Sequence, residues 1–310
     1  MNDIVLRPIL ESDKSEYAEL LYHSFNVWYR QHGREDDYFK GGPQDTEIFY
    51  DVYNDLDPGC CIVAVDKDTK RLMGCCFYHP REYHVSLGVM SVHPDYFGRG
   101  IGKQLVDYIV DYAENNKKAL RVVSSAVNID SFSLYNKADI LPRYLYHNMI
   151  ISVPAKGMNK TVDCVENVRS ARVADIPAMM ELEMEVSGIS REKDFHYAIE
   201  NRRGIFQTSV IESNNGSIEG FMISLKHPSL NMIGPGVVLT EEAAIALILH
   251  ELDRYKGETA ILLIPMDRRK IVGKMYECNA KNSETYLFQV RGKFKPFNGV
   301  NIPSFLPETG

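Results

Sequence analysis

The residues with the clearest chemical potential form a glycine-rich loop, in which Gly98, Gly100 and Gly102 occupy alternate positions. Glycine lets the backbone approach a ligand closely, and the free amides at the start of a helix attract anions. The basic residues Arg99 and Lys103 stand in the same segment. The loop is therefore suited to bind a pyrophosphate. The alternative is a tight turn whose glycines serve only helix packing.

Two common phosphate-binding motifs do not fit this loop. A dinucleotide fingerprint requires a third glycine three residues after the second, where this chain has Lys103. A Walker A motif requires glycine in place of Phe97 and serine or threonine in place of Gln104. The glycines alone thus indicate an anion-binding turn without identifying its ligand.

The segments around the loop predict an α/β fold. A strand is predicted over residues 85–92, and apolar residues at helical spacing begin at Ile101, directly after the loop. This order places the loop at the amino end of a helix. The other elements predicted in the first half are strands over 60–65, 72–78, 120–127 and 145–153 and a short helix over 131–138.

Two segments begin alike, which indicates an internal duplication. Arg7 precedes Asp13 by six residues, and Arg169 precedes Asp175 by the same spacing. In each copy a short apolar strand leads to an aspartate that is predicted to cap a helix. A polar segment with proline and glycine separates the copies. The predicted organisation is a first domain over residues 1–153, a linker over 154–164 and a second domain over 165–310.

The second half repeats the plan of the first but lacks the glycine loop. The segment from Gly234 to Gly236 does not reproduce it, so we expect that cofactor binding has been lost there. The end of the chain, residues 298–310, is predicted to pack against the body as an extended tail. The elements predicted in this half are strands over 205–211, 218–225, 260–265 and 286–290 and helices over 240–255 and through Met275.

Composition narrows the function classes. The chain has 310 residues, 45% of them hydrophobic and 25% charged, which is ordinary for globular domains. A net charge of −7 argues against a non-specific nucleic-acid binder. No apolar run reaches the roughly 18 residues that cross a bilayer, so we expect a cytoplasmic protein without membrane contact. The six cysteines follow neither a disulfide framework nor a metal pattern, so reduced thiols and no metal are expected.

The run from Val89 to Leu105 closely resembles the acetyl-CoA motif of the GNAT N-acetyltransferase superfamily. Asn128, with Tyr135 seven residues later, resembles the superfamily's next element. The resemblance covers roughly residues 3–152, and the second half resembles the C-terminal GNAT-type domain of YitH-like proteins. It implies two tandem α/β (α+β) domains, each a mixed, splayed β-sheet flanked by helices. It also implies direct acetyl transfer from acetyl-CoA to an amine of a small molecule or peptide.

The resemblance further implies which residues bind the cofactor. Main-chain groups of Met90 and Val92 would pair with the pantetheine arm, Asn128 would bond the arm from the other side, and the loop would hold the pyrophosphate. Phe97 departs from the superfamily, which usually has arginine or glutamine there. The implied cofactor-binding residues are Met90, Val92, Phe97, Gly98, Arg99, Gly100, Ile101, Gly102, Lys103, Asn128, Ser131 and Tyr135.

For catalysis, Tyr135 matches the family position that protonates the leaving thiolate, and its alternative role is that of a core tyrosine. Tyr276 occupies the corresponding position in the second half, where it is expected to have a packing role. Glu82 and His84 precede the strand over 85–92 and are candidates for the base, although either can be an ordinary solvated side chain. The alternative function is a non-catalytic acyl-CoA-binding or sensing protein. The sequence is also compatible with a homodimer.

Overall fold

The computed structural model describes residues 4–158 and 165–308, so residues 159–164 of the predicted linker lie outside the description. Within the first half of the described chain, the strands are β1 Ile4–Pro8, β2 Cys61–Asp66, β3 Leu72–Pro80, β4 His84–Val92, β5 Ala119–Ser125 and β6 Leu141–Ser152. The helices are α1 Lys14–Gln31, α2 Gln44–Leu56, α3 Ile101–Asn115 and α4 Ile129–Lys137.

Helices cover both faces of β2 and β3, which explains why these strands are buried on both faces and largely apolar. Cys75 packs with α1 and α2, whereas Cys76 packs with α3 on the opposite face. All five cysteines in the described part of the chain are free thiols, and Cys164 lies outside it. Among the same residues, no group of acidic, histidine or cysteine side chains could hold a metal ion.

The second half contains strands and helices in a similar order. Its strands are β7 Val168–Ser170, β8 Phe206–Glu212, β9 Ile218–His227, β10 Leu230–Val238, β11 Thr259–Pro265, β12 Lys281–Arg291 and β13 Val300–Ile302. Its helices are α5 Ile176–Ser187, α6 Glu192–Glu200, α7 Glu241–Leu252 and α8 Arg269–Glu277. The helices of residues 4–158 and 165–308 include none that is both long and apolar enough to span a bilayer.

The predicted duplication is visible in matched contacts. Arg7 Nη1 donates to Asp13 Oδ2 at 2.6 Å, and Arg169 Nη1 donates to Asp175 Oδ2 at 2.7 Å. Each Oδ2 also accepts from the backbone amide three residues earlier, at 2.8 and 2.7 Å. The aspartates therefore tie the turn to the preceding strand. The prediction that they cap the helix is wrong, because neither side chain bonds to a first-turn amide.

The described strands form one continuous sheet, in which the two halves exchange their last long strands. β12 of the second half lies antiparallel to β5, with Tyr286 opposite Ser125. β6 of the first half in turn lies between β12 and β11. Each half thus covers the edge of the other's central strand. Residues 286–290 form part of a strand, as predicted, but this strand, β12, pairs with β5 and β6 of the first half.

Candidate active site

The central strands β4 and β5 separate in the middle of the first half. They pair in parallel over three residues, ending with Ser86 opposite Arg121. Beyond this point the two strands no longer pair with each other, although β4 continues to Val92 and β5 to Ser125. Beyond Ser86, β4 also has a bulge opposite β3, and a bulge bends its strand. The predicted splay of the central strands is confirmed, and it opens toward their carboxyl ends.

The glycine loop lies beyond the open end of β4. Gly98 and Gly100 have φ angles of 76° and 77°, which side chains disfavour. A Cβ atom on either residue would meet no described atom within 4 Å. Helix α3 begins at Ile101, and the amides of its first turn have no intrahelical partner. The loop therefore presents free N–H groups on an unobstructed surface, which fits a pyrophosphate.

The aromatic and basic side chains of the loop, Phe97, Arg99 and Lys103, are exposed, whereas Ile101 is 1% exposed and packs in the core. Phe97 is 48% exposed and carries no charge. Arg99 Nη2 donates to the Asp95 carbonyl at 3.3 Å, and Lys103 Nζ pairs with Asp107 at 2.5 Å. These contacts hold two cations beside the loop, where they can add to the positive potential of the helix start.

Met90 and Val92 lie on the part of β4 that has left β5. Both are half-buried. The Val92 carbonyl accepts a hydrogen bond from Ser24 Oγ of α1 at 3.1 Å. A carbonyl oxygen has two lone pairs, so this bond leaves one for a ligand.

Helix α4 packs against α3 and carries the remaining predicted cofactor residues. Asn128 Oδ1 accepts from the Ser131 amide at 2.9 Å and caps α4, which leaves the Asn128 Nδ2 group as a donor. Tyr135 is buried among residues of α3 and β3. Burial raises the pKa of its phenol, with Cys76 and Glu308 adding to the effect. The Tyr135 phenol therefore stays protonated at neutral pH.

Glu82 and His84 lie at the other end of β4, where the strand is still paired with β5. Glu82 is exposed and hydrogen bonds with Tyr83. His84 is fully buried, and burial together with the nearby Arg121 holds its pKa well below the usual value. At ~3.3 Å per residue, His84 is about 20 Å along the strand from Met90. The structure therefore does not bring these two residues together with the predicted cofactor residues.

A carboxyl group from the end of the chain reaches the sheet face opposite α3. Glu308 accepts a hydrogen bond from Tyr53 of α2, and its Oε2 lies 3.8 Å from His79 Nε2. A Cβ atom on Gly88 would lie 2.8 Å from the same histidine nitrogen, so this pair is beside the bulge of β4. Burial raises the pKa of Glu308 well above the usual value.

Glu308 carries no local signal in the sequence, because it is a single acid within a largely apolar ending. The predicted tail does pack against the body as far as it is described, and Leu306 is 1% exposed. Thr309 and Gly310 lie outside the described residues.

A chain of buried charges fixes His79. Its Nδ1 lies 2.7 Å from Asp57 Oδ2, and Arg81 Nη1 donates to Asp57 Oδ1 at 2.9 Å. Arg81 also pairs with Asp194, which belongs to α6 of the second half. Because the pKa of Asp57 is lowered by His79 and Arg81 against the effect of burial, the carboxylate accepts the Nδ1 proton. His79 Nε2 is then an acceptor that faces Glu308.

In the second half, β13 fills the corresponding opening. β10 and β11 pair in parallel only at Met232 and Ile233 of β10. Beyond this point β13 pairs with β10, with Gly236 opposite Ile302, and it also contacts β11. A side-chain cap from Thr240 already occupies the start of α7. These contacts give a physical reason for the expected loss of cofactor binding in this half.

Two further features of the second half concern its expected loss of cofactor binding and the expected role of Tyr276. Glu241 and Glu242 lie in the first turn of α7, where Glu242 pairs with Lys270, and their charges oppose phosphate binding. Tyr276 is 49% exposed and has its ring centroid 6.4 Å from that of His147. Tyr276, for which a packing role is predicted, thus contacts His147 at the surface and does not lie in the core.

Comparisons with known proteins agree with this architecture. Residues 20–139 match the acetyltransferase (GNAT) family, and residues 179–296 match an acetyltransferase (GNAT) domain. A Pyrococcus horikoshii protein, proposed to be an acetyltransferase, has a TM-score of 0.72 at 17% identity over 96% of this chain and 94% of its own. A tandem GNAT protein from the clavulanic acid biosynthesis pathway has a TM-score of 0.60 at 12% identity, over 93% and 98%.

A curated relative, UPF0157 protein YqkA of Bacillus subtilis (strain 168), is 32% identical over 68 residues, which is 22% of this chain. The match spans 20% of that relative's length. The solved structures are too distant in sequence to show more than the fold. The family matches, one in each half, go further: the chain belongs to the GNAT acetyltransferase family as two GNAT domains in tandem.

Proposed function

We propose that the protein is an acetyl-CoA-dependent N-acetyltransferase that transfers the acetyl group directly to an amine of a small molecule or peptide. The observation that carries this proposal is the separation of β4 from β5 beside an unobstructed glycine loop. The unpaired strand edge and the first-turn amides of α3 suit an extended ligand with an anionic end. Because β13 fills the matching opening in the second half, we expect one cofactor per chain.

The residues present fit acetyl-CoA. The loop from Gly98 to Lys103 would hold the pyrophosphate, main-chain groups of Met90 and Val92 would hold the pantetheine arm, and Asn128 Nδ2 would bond it from α4. When bound, acetyl-CoA supplies the thioester that the amine attacks. Because Phe97 carries no charge, binding of the phosphates depends more on the backbone amides of the loop.

Two groups on opposite faces of the sheet can handle the protons. Tyr135 holds a proton at its phenol oxygen on the α3 side, where it can donate to the departing sulfur. Glu308 lies on the other face and can accept a proton from the amine, and its raised pKa makes it a stronger base than an ordinary carboxylate. We favour Glu308 over Glu82 and His84, because those two stand at the closed end of β4.

The surroundings of Glu308 suggest the kind of acceptor. Phe305 packs on Tyr286, with ring centroids 4.9 Å apart. Glu284 accepts hydrogen bonds from Tyr29 at 3.2 Å and from Ser125 Oγ at 2.6 Å. Aromatic rings beside carboxylates favour a cation. We therefore expect an acceptor that arrives as a protonated amine.

One observation favours the alternative of a non-catalytic acyl-CoA-binding or sensing protein. Phe305 and Leu306 cover the sheet face from which an acceptor would approach Glu308. Both functions predict binding of acetyl-CoA, but only the enzyme predicts release of free thiol that depends on an acceptor. A thiol-release screen over amines and peptides is the test. Tight binding without thiol release from any acceptor would favour the sensor.

Two predictions from the sequence complete the proposal. We expect the protein to act in the cytoplasm, which fractionation of cells producing the full chain would check. A homodimer remains open, and light scattering of the full chain would decide between one copy and two.

A further inference from the structure

A cluster of buried basic side chains lies between the two halves, at the closed end of β4 and β5. Arg121 of β5 is 3% exposed, Arg191 before α6 is 2% exposed, and His84 of β4 is completely buried. Arg121 Nη2 donates to the carbonyl of Ser187, the last residue of α5, at 3.2 Å. The proposed function uses none of these groups.

The cluster lies on the sheet face opposite α3. Leu120 and Val85 pack with α3, and side chains alternate between faces along a strand. Arg121 and His84, their neighbours in sequence, therefore point to the other face, where α5 of the second half covers them. This is the same face on which Glu308 lies, and both halves contribute to the cluster.

The charges and hydrogen bonds of this cluster are not balanced. Arg191 pairs with Glu183, whereas Arg121 forms no ion pair with any described residue. Within residues 4–158 and 165–308, Arg121 Nε, Arg191 Nη1 and both ring nitrogens of His84 also lack a hydrogen-bond partner. Glu183 Oε2 is an unpartnered acceptor in the same group, but one oxygen cannot satisfy all these donors.

A buried guanidinium without an ion-pair partner is unfavourable. Burial, with the nearby Arg191 and against the opposing charge of Glu183, lowers the pKa of Arg121 to about 10, so the group is still charged at neutral pH. Burial, with the positive charges of Arg121, Arg191 and Arg81, holds the pKa of His84 well below its usual value and keeps the imidazole neutral. A neutral imidazole has one N–H donor, which can join the arginine donors around an anion.

We propose that Arg121, Arg191 and His84 form an internal site for one small monovalent anion, a halide or a carboxylate group. One negative charge matches the single arginine that lacks a carboxylate. The anion can come from solution or from a carboxylate of the acceptor, and the second source rests on the proposed function. Arg121 lies opposite Ser86, which is two residues, or ~7 Å along β4, from Gly88 beside the Glu308 and His79 pair, so an acceptor whose amine and carboxylate are several bonds apart could reach both sites.

The first test requires no catalytic activity. The full chain is unfolded and refolded in bromide, in formate, or in gluconate of equal ionic strength, so that the anion can enter a closed site. Gluconate is the control, because its carboxylate carries a six-carbon hydroxylated chain that is too large for a closed site. We expect bromide and formate to raise the melting temperature by about 3 °C or more over gluconate. The rise should vanish in Arg121→Met but persist in Arg202→Met, whose side chain is 83% exposed.

Anomalous diffraction from crystals grown in bromide gives an independent readout on the unaltered chain. A bromide peak beside the Arg121 guanidinium supports the site, even if Arg121→Met fails to fold. The absence of both the peak and the melting shift in the unaltered protein overturns the proposal.

Turnover distinguishes the two sources of the anion. If the acceptor supplies it, Arg121→Met should lower kcat/KM about tenfold or more for acceptors with a carboxylate, and formate should compete with them. Acceptors without a carboxylate should be unaffected. Equal effects on both classes support an anion from solution. If no acceptor is turned over, the proposed function fails while the refolding and diffraction results still decide the anion site.

Discussion

The Oε2 atom of Glu308 lies 3.8 Å from Nε2 of His79, beside the bulge of β4. The chain reaches this point after β13 has filled the opening of the second half. Tyr53 also donates to Glu308, so the carboxyl is held in one orientation. The second half therefore closes its own opening and places a carboxyl group beside that of the first.

We expect Glu308→Gln to lower kcat/KM by about 10²- to 10⁴-fold, the usual effect of losing a general base. In the unaltered protein, activity should rise with pH as this carboxyl ionises. Because burial raises the pKa of Glu308, that rise should occur above the range of an ordinary glutamate. A profile of kcat/KM against pH with one acceptor is the measurement, and the variant should lack this limb.

The raised pKa of Glu308 also predicts how the free energy of unfolding changes with pH. A raised pKa means that the folded state binds the Glu308 proton more tightly than the unfolded state does. The free energy of unfolding should then fall as pH rises from the ordinary glutamate pKa toward the raised one, and Glu308→Gln should remove this fall. Urea unfolding across this range measures it. The control is Glu277→Gln, which replaces a glutamate whose side chain is 69% exposed. If stability depended on pH in the same way in Glu308→Gln and in the unaltered protein, Glu308 would lack the raised pKa on which its assignment as the base depends.

Gly100→Asp should weaken acetyl-CoA binding by about 100-fold or more, as measured by calorimetry. The new carboxylate would stand at the N-cap of α3 and repel the pyrophosphate. A side chain at a φ of 77° adds backbone strain of ~1–2 kcal/mol.

Gly204→Asp is the control, because it adds the same charge and a similar backbone strain at a site far from the loop. Gly204 has a φ of 70° and no described neighbour near its Cβ position, but it lies in the second half. We expect Gly204→Asp to bind acetyl-CoA normally. Equal affinities of the two variants would refute the location of the phosphates.

The sequence predicted the loop and its flanking elements because their signals are local. Glycine spacing and the apolar period from Ile101 depend only on neighbouring residues, and α3 begins at that residue. The exchange of β6 and β12 has no such signal, because the residue pattern of a strand does not specify which strand it pairs with. The segment Gly234 to Gly236 interrupts the apolar run of β10, so no strand was predicted there from the sequence.

The choice of base also depends on tertiary contacts that the local sequence does not specify. His84 has the right residue type near the right strand, but its burial among arginines comes from both halves of the fold. Glu308 reaches the site only through the path of the folded chain.

Tyr135→Phe should lower kcat by about 100-fold and leave the affinity for acetyl-CoA nearly unchanged. The phenol oxygen is the only atom removed, and the ring still packs against α3. Stopped-flow measurement of thiol release gives kcat, and calorimetry gives the affinity. Tyr17→Phe is a matched control, because Tyr17 is also a buried tyrosine but lies on the α1 face. A normal rate in Tyr135→Phe would return this residue to a packing role.

The strand exchange predicts that neither half folds alone. A fragment of residues 1–153 lacks β12, so β5 and β6 would present unpaired apolar edges that favour association with other chains. We expect it to aggregate or to melt without a cooperative transition, as judged by light scattering and thermal unfolding. Produced together with a fragment of residues 165–310, it should form a one-to-one complex that unfolds cooperatively, because each fragment restores the strand that the other lacks. A monomeric first fragment with the melting temperature of the full chain would show that the exchange is dispensable, and the predicted boundary would then divide two independent domains.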